Sequence, residues 1–446
     1  MNIDSLDPNL FAPVDRDAWL KLVNRALKGA DFEEALVSRT DDGIEIQPLY
    51  ARRPDATPLP RGRIDVPWTI TQRMDDPDIE RAFTQLDADL ANGADGAHLL
   101  SKASPSAFGI GIDQETGGLA ARLATALAGK HISLRLDGFS PAFAEALANS
   151  SKLETLHTGL DIFTSGSSTN VVADSFKRLF DTGGAGTILN ADGRAVHNAG
   201  GTEAQELAVV AASLVGHLRL LEQAGFAAET ILRATSICLS ADQNQFVTMA
   251  KARAARMLFA RIAEACGASN PPATHLFMET SYRMLTRLDP ETNILRNTIA
   301  VFAAGTGGAD EVSVLPHTLT HGIPDPLARR LARNTQTVLV AESHLDHVID
   351  PAAGAGGIEA LTEALAEKAW EIFVGIERDG GLATIITSGQ LAAMVAEARV
   401  SRVAKPIVGT TLFATKTERP VVVLGALGSV AGGMGLRPVR LDEVEV

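Results

Sequence analysis

The chain has 446 residues, 46% hydrophobic and 21% charged, which is enough apolar material for one large folded unit with appendages. A formal charge of -14 argues against non-specific binding of nucleic acid, whose phosphates call for concentrated Lys and Arg, while a small acidic ligand could still use a local basic patch. The two cysteines, Cys238 and Cys266, offer neither a disulfide framework nor a metal set; the N-terminus lacks a basic start and apolar run, and no stretch approaches the ~18 apolar residues of a membrane span, so a cytoplasmic protein is expected.

Apolar residues Trp19, Leu20, Leu22, Val23, Ala26 and Leu27 recur at helical spacing and predict a helix over 15–29, and alternation in DDGIEIQPLY predicts a short strand ending at Tyr50. Residues 51–67 are proline-rich and aperiodic, which reads as an extended connector. From about residue 68 short apolar runs alternate with helical stretches. Strands are expected at 97–100, 132–136, 159–163, 185–189, 235–239, 275–278, 311–315 and 347–349. Helices are expected near 113–129, 141–150, 170–182, 202–224, 243–266, 290–304, 324–342 and 358–379. Such alternation predicts an α/β fold, a parallel (β/α)8 TIM barrel over 68–380, because parallel strands need crossovers and closure removes the sheet edges. A two-domain doubly wound arrangement gives the same alternation, and 159–163 is the weakest unit. Residues 1–67 form an N-terminal helix and arm, and 381–446 a C-terminal extension with a helix near 389–399, strands at KPIVGTTLF and 421–425, and the start of a linker.

His197 follows the predicted strand 185–189 in the loop NADGRAVHNAGG, at the barrel face that carries reacting groups. A neutral imidazole there could donate to a carbonyl, or it could satisfy backbone groups of a tight loop. Thr202 and Gln205 form a capping-box pattern opening the next helix. Asp242 reads as a helix cap and Gln243 as a residue that could face a ligand, while Glu279 and Arg283, after the strand HLFM, could orient an acyl substrate or pair with each other. The glycine clusters at 183–187, 305–310, 354–357 and 428–435 lack phosphate-loop spacing and read as turns. His344 with His347, and His317 with His321, have helical spacing but no third ligand, and no metal site is expected from them.

Long segments of the chain carry a resemblance. RAVHNAGGTEAQELAVVAASLVGHLRLLEQAGF, LSADQNQFVTMAKARAARMLFARIAEACG, ETSYRMLTRLDPETNILRNTIAVFAAGTGGADEVSVLPH and LARNTQTVLVAESHLDHVIDPAAG resemble the barrel of methylmalonyl-CoA mutase. Trp19, Lys28 to Glu33, Asp42 to Tyr50, Arg61 with Gly62 and Pro67 to Gln72 match the same family, so the resemblance covers roughly 15–440.

The resemblance implies a barrel threaded by acyl-CoA and a radical rearrangement at its mouth. It also implies adenosylcobalamin held by a separate C-terminal flavodoxin-like domain through an Asp-x-His-x-x-Gly histidine. The family has a catalytic large subunit and a small one of the same architecture that binds no cobalamin. Segments 240–243, 283–286 and 307–310 look like the small type. His197 matches the histidine that contacts the thioester carbonyl, but Val196 stands where the catalytic type has tyrosine, and Glu279-Thr280-Ser281-Tyr282 replaces Gln-Thr-Ser-Gly. The arginine-rich aromatic segment that holds the substrate carboxylate has no counterpart in 164–170, and no histidine here has an aspartate two positions before it.

The expectation is therefore a small, non-catalytic subunit with His197 as a remnant and Gln243, Glu279 and Arg283 as substrate-side residues. It would bind no cofactor or metal by itself, and would form a heterodimer with the catalytic large subunit, where adenosylcobalamin resides. Residues 1–67 would pack on that partner or cover their own barrel. The alternatives are the barrel component of a split acyl-CoA mutase, active with a separate cobalamin-binding protein, and an acyl-CoA binding protein without isomerase chemistry.

Overall fold

A computed structural model describes residues 14–59, 61–62, 66–150, 153–164, 168–268 and 273–444. The start of the chain and part of the 51–67 connector and of 164–170 lie outside them. Helix Arg16–Leu27 opens under Asp15, whose side chain accepts from Ala18 N, and ends at Lys28 in the left-handed region. None of its residues is buried, although Trp19 meets Phe32 edge-on with ring centroids 6.3 Å apart. The expected strand ending at Tyr50 contracts to a two-residue pairing, β1 (Ser38–Arg39) with β2 (Glu45–Ile46), antiparallel.

Eight parallel strands follow: β3 (Thr69–Met74), β4 (Gly96–Leu100), β5 (Ser133–Asp137), β6 (Thr155–His157), β7 (Leu189–Asp192), β8 (Thr235–Ala241), β9 (His275–Thr280) and β10 (Glu311–Ser313). They form one sheet in the order β6-β5-β4-β3-β10-β9-β8-β7. Single bridges, Thr155 to Ala185 and Leu160 to Leu189, close the seam between β6 and β7, so the sheet is a nearly closed (β/α)8 barrel and not two doubly wound sheets.

The expected strand membership is corrected at several places. Thr69–Met74 supplies the strand between β4 and β10, and all six of its residues are buried. Residues 347–349 form a turn with Val348 and Ile349 exposed, because they lie on the surface between two helices. The third unit pairs at Thr155–His157, and Leu160 contributes only a bridge. β7 starts at Leu189, where the expected strand ended. In the C-terminal extension, 405–413 and 421–425 make single-residue bridges in place of strands.

Helices Glu203–Gln223, Gln245–Ala265 and Gly356–Arg378 pack on the barrel's outside. Glu203–Gln223 is long and apolar enough to cross a membrane by composition, which the sequence reading did not anticipate, yet 78% of that window is buried inside the fold. Close packing is tight enough to need glycine at 305, where a Cβ would lie 2.6 Å from the fully buried Trp68 ring.

The C-terminal segment crosses the strands' C-terminal face. Gly428 N donates to Gly109 O, Val439 N to Asn198 O at 2.8 Å and Leu441 N to Arg283 O at 2.9 Å, with Met434 and Leu436 buried beneath.

Candidate functional site

Burying a charge in a strand calls for a partner, and the charged residues of the interior pair across the barrel. In its lower layer Arg135 on β5 reaches Glu311 on β10, with Nη2 3.0 Å from Oε2, and its guanidinium lies over the Phe277 ring at 4.4 Å. Thr71 Oγ1 donates to the other Glu311 oxygen at 2.8 Å. Above it, Arg73 on β3 binds Glu279 and Asp75, both at 2.6 Å, and Arg329 binds the second oxygen of Asp75 at 2.7 Å. Glu279 continues to Arg194 at 3.3 Å, and Arg194 to Asp137 at 2.7 Å and Asp192 at 2.5 Å. His98 lies between Glu279 and Asp137, 3.4 Å and 3.2 Å away.

Burial alone would raise these carboxyls. For Glu279 the charge of Arg73, the hydrogen bond with His98 and the charge of Arg194 overcome it and hold the group down to about 2. Arg329 and Arg73 do the same for Asp75, also to about 2. Arg194 and His98 likewise hold Asp137 well below its ordinary value against burial. Asp192, where burial and the neighbouring Asp137 prevail over Arg194, is raised. Along the barrel axis the space is therefore occupied by paired charges and by Phe277, which is fully buried.

His197 sits beside this network, on the short helix Arg194–Asn198 that follows β7 directly, and it is fully buried. Its Nε2 lies 2.9 Å from Ser281 Oγ, and its Nδ1 3.3 Å from Glu206 and 3.4 Å from Lys251 Nζ. Lys251 and Glu206 pair at 2.5 Å, and Glu206 also accepts from Ser240 N at 2.7 Å. Burial first, then the charges of Arg283 and Lys251, push the imidazole well below its ordinary value and keep it neutral. A serine, a histidine and a carboxylate thus stand in line, but Ser281 is fully buried, and a nearby 140 Å3 pocket lined by Asp137, Asp192, Ala195 and Met434 does not include it.

Arg283 closes the other side, with Nη2 3.0 Å from Glu203 and 2.9 Å from Asp242 and Nη1 2.7 Å from Gly201 O. Glu279 and Arg283 do not pair with each other: each has its own buried partners. Asp242 accepts from Asn244 N at 2.9 Å, but Asn244 is the residue before helix Gln245–Ala265, and the other Asp242 oxygen serves Arg283. Gln243 is half-buried, and its Oε1 has no hydrogen-bond partner. The structure thus brings His197, Arg283 and Asp242 together, sets Glu279 in the adjoining network and leaves Gln243 outside both. Ser281 was read only as part of the segment 279–283, and Arg73, His98, Asp137 and Lys251 were not expected at the site; an arginine or aspartate at alternate positions of short strands such as SLRLD was the available signal.

Fold and site together define a TIM barrel whose axis is filled by ion pairs and whose loop histidine is sealed. Residues 154–425 match the methylmalonyl-CoA mutase family. The small subunit of methylmalonyl-CoA mutase from Streptomyces virginiae is 35% identical over 97% of this chain and 75% of its own length. The small subunit from Propionibacterium freudenreichii subsp. shermanii is 30% identical over 84% of this chain and 64% of its own. The large subunit from the same organism is 32% identical over only 53% of this chain and 34% of itself. The chain belongs to the methylmalonyl-CoA mutase family, and spans about two thirds to three quarters of those small subunits.

Proposed function

We propose that the chain is the small, non-catalytic subunit of an adenosylcobalamin-dependent methylmalonyl-CoA mutase, forming a heterodimer with a catalytic large subunit that interconverts methylmalonyl-CoA and succinyl-CoA in the cytoplasm. The observation that carries this reading is the filled axis. Arg135 with Glu311, and Arg73 with Glu279 and Arg194, stand where an acyl-CoA arm would have to thread, and displacing them would strand buried charges. His197, the remnant of a catalytic histidine, and Arg283 then act as structural residues; Glu279 has the same role within the plug, and Gln243 is left without a substrate to contact.

Adenosylcobalamin belongs to the partner in this reading. The C-terminal face of this barrel does not fit the cofactor: its His197 is fully buried, and Met434 and Leu436 of the crossing segment are buried against that face. In this reading the chain itself carries no step of the reaction.

The test mixes purified chain with adenosylcobalamin and a stand-alone cobalamin-binding protein, with and without a catalytic large subunit. Conversion of methylmalonyl-CoA only when the large subunit is present is expected. Turnover without it would overturn the reading in favour of a split mutase barrel.

A further inference from the structure

The opposite end of the barrel holds a histidine pair, outside the plug, beside the plug's Glu311. His157 on β6, His275 on β9 and Glu311 on β10 converge below Arg135, and one ligand atom from each lies within 4.8 Å of the others. The two imidazoles stack with centroids 4.3 Å apart. His157 is 2% exposed, and its Nε2 is buried with no hydrogen-bond partner. Both rings line a cavity of about 670 Å3 that opens at the N-terminal mouth beside Ser133 and Thr187.

We propose that this mouth binds a divalent transition metal, zinc fitting best, through His157 Nε2, His275 Nε2 and Glu311, with water from the cavity completing the shell. Two imidazoles and one carboxylate are a borderline-soft donor set suited to zinc and poorly suited to calcium or magnesium. Outer partners are in place: Thr187 Oγ1 lies 2.7 Å from His157 Nδ1, and Thr71 holds the far oxygen of Glu311 at 2.8 Å. Burial first, then the charges of His275 and Arg135, hold the His157 imidazole well below its ordinary value, which keeps a lone pair available at neutral pH.

Three features oppose binding and limit it to modest affinity. The first is the stack itself, whose rings lie only 25° from parallel, so one has to turn before both lone pairs reach a single ion. Arg135 shares the Glu311 oxygen that faces His275, at 3.0 Å, and repels a second cation. The Thr187 backbone N–H, 3.2 Å from Nδ1, favours the tautomer with its proton on Nε2, so the metal has to select the other one, in which Nδ1–H donates to the Thr187 hydroxyl.

The site would act as a staple. β6 borders the seam of the sheet, whereas β9 and β10 lie on the far wall, so one ion would tie opposite sides of the barrel together. This inference does not depend on the subunit reading.

The experiment uses the full chain, stripped with a chelator. Zinc is titrated by calorimetry and cobalt by its visible absorption, and the melting temperature is followed alongside. Expected are one saturable site, a melting temperature that rises with zinc, and affinity lowered by at least the ~10-fold typical of losing even an outer partner in His275→Gln. His275 is partly exposed at the mouth, so this variant tolerates the change better than His157→Gln, which is measured second. A His344→Gln/His347→Gln double variant, removing the surface pair stacked at 4.8 Å, keeps the site. Absence of saturable binding, affinity unchanged in His275→Gln, or loss of binding in the His344/His347 double variant would overturn the proposal.

Discussion

His197 and Ser281 meet at 2.9 Å, Nε2 to Oγ, with neither side chain exposed. Lys251 Nζ, 3.4 Å from Nδ1, can only donate to that nitrogen, and the Ser281 hydroxyl donates to Asn198 Oδ1 at 3.4 Å, so Nε2–H donates to Ser281 Oγ. The contact satisfies a neutral ring in a site without solvent. Ser281→Ala leaves the Nε2–H buried with no acceptor in hydrogen-bond range, since the nearest Asp242 oxygen is 3.7 Å away. A loss of about 1–3 kcal/mol of stability follows. Denaturant unfolding of the variant measures it, while activity of the heterodimer should stay unchanged; a large loss of turnover without a loss of stability would restore a chemical role to the pair.

Asp42, in the turn between β1 and β2, docks on the start of helix Glu203–Gln223, where Ala204 N donates to it at 3.3 Å. Burial first and the charge of Glu203 second raise its carboxyl from 3.8 to about 7. The folded chain therefore holds a proton that the unfolded chain has already released between these values. Stability from this group is present below 3.8 and is lost as pH rises through about 7. Asp42→Asn keeps an acceptor for Ala204 without the charge. The variant should be at least as stable as the parent at pH 8, with a flatter stability curve between pH 5 and 8, read from melting temperatures across that range. An unchanged curve would mean that Asp42 is ionised in the fold throughout.

The barrel was legible because period and length together mark helices such as Glu203–Gln223 and Pro141–Ser150, and because short apolar runs such as ICL in β8 recur between them. The strand Thr69–Met74 was not legible. TITQRM looks half-polar, yet Thr71 and Arg73 point inward to Glu311 and Glu279, which lie 240 and 206 residues away. Polar residues mark surface in a local reading and interior here, since a distant charge satisfies each. Residues 347–349 err the other way: His-Val-Ile has strand propensity, but with no neighbouring strand it stays a surface turn. His197 was visible as a loop histidine after a strand. Its meaning was not, because Ser281 lies 84 residues away and Lys251 54 residues away, and only closure of the barrel brings them together.

Lys251 and Glu206 form a second buried relationship with a clear consequence. Both are fully buried, their charges meet at 2.5 Å, and Glu206 further accepts from Ser240 N, so the carboxylate is fixed to β8 from the helix before it. Lys251→Met removes the cation and leaves Glu206 charged among His197, Glu203 and apolar neighbours; a loss of about 3–5 kcal/mol is expected. Adding Glu206→Gln removes the stranded charge and keeps an acceptor for Ser240, so the double variant should be more stable than Lys251→Met alone. Unfolding free energies of the two single variants and the double variant decide it. If the double variant lost the sum of the two single losses, the pair would be uncoupled, and the site around His197 would be held by Arg283 and its two carboxylates instead.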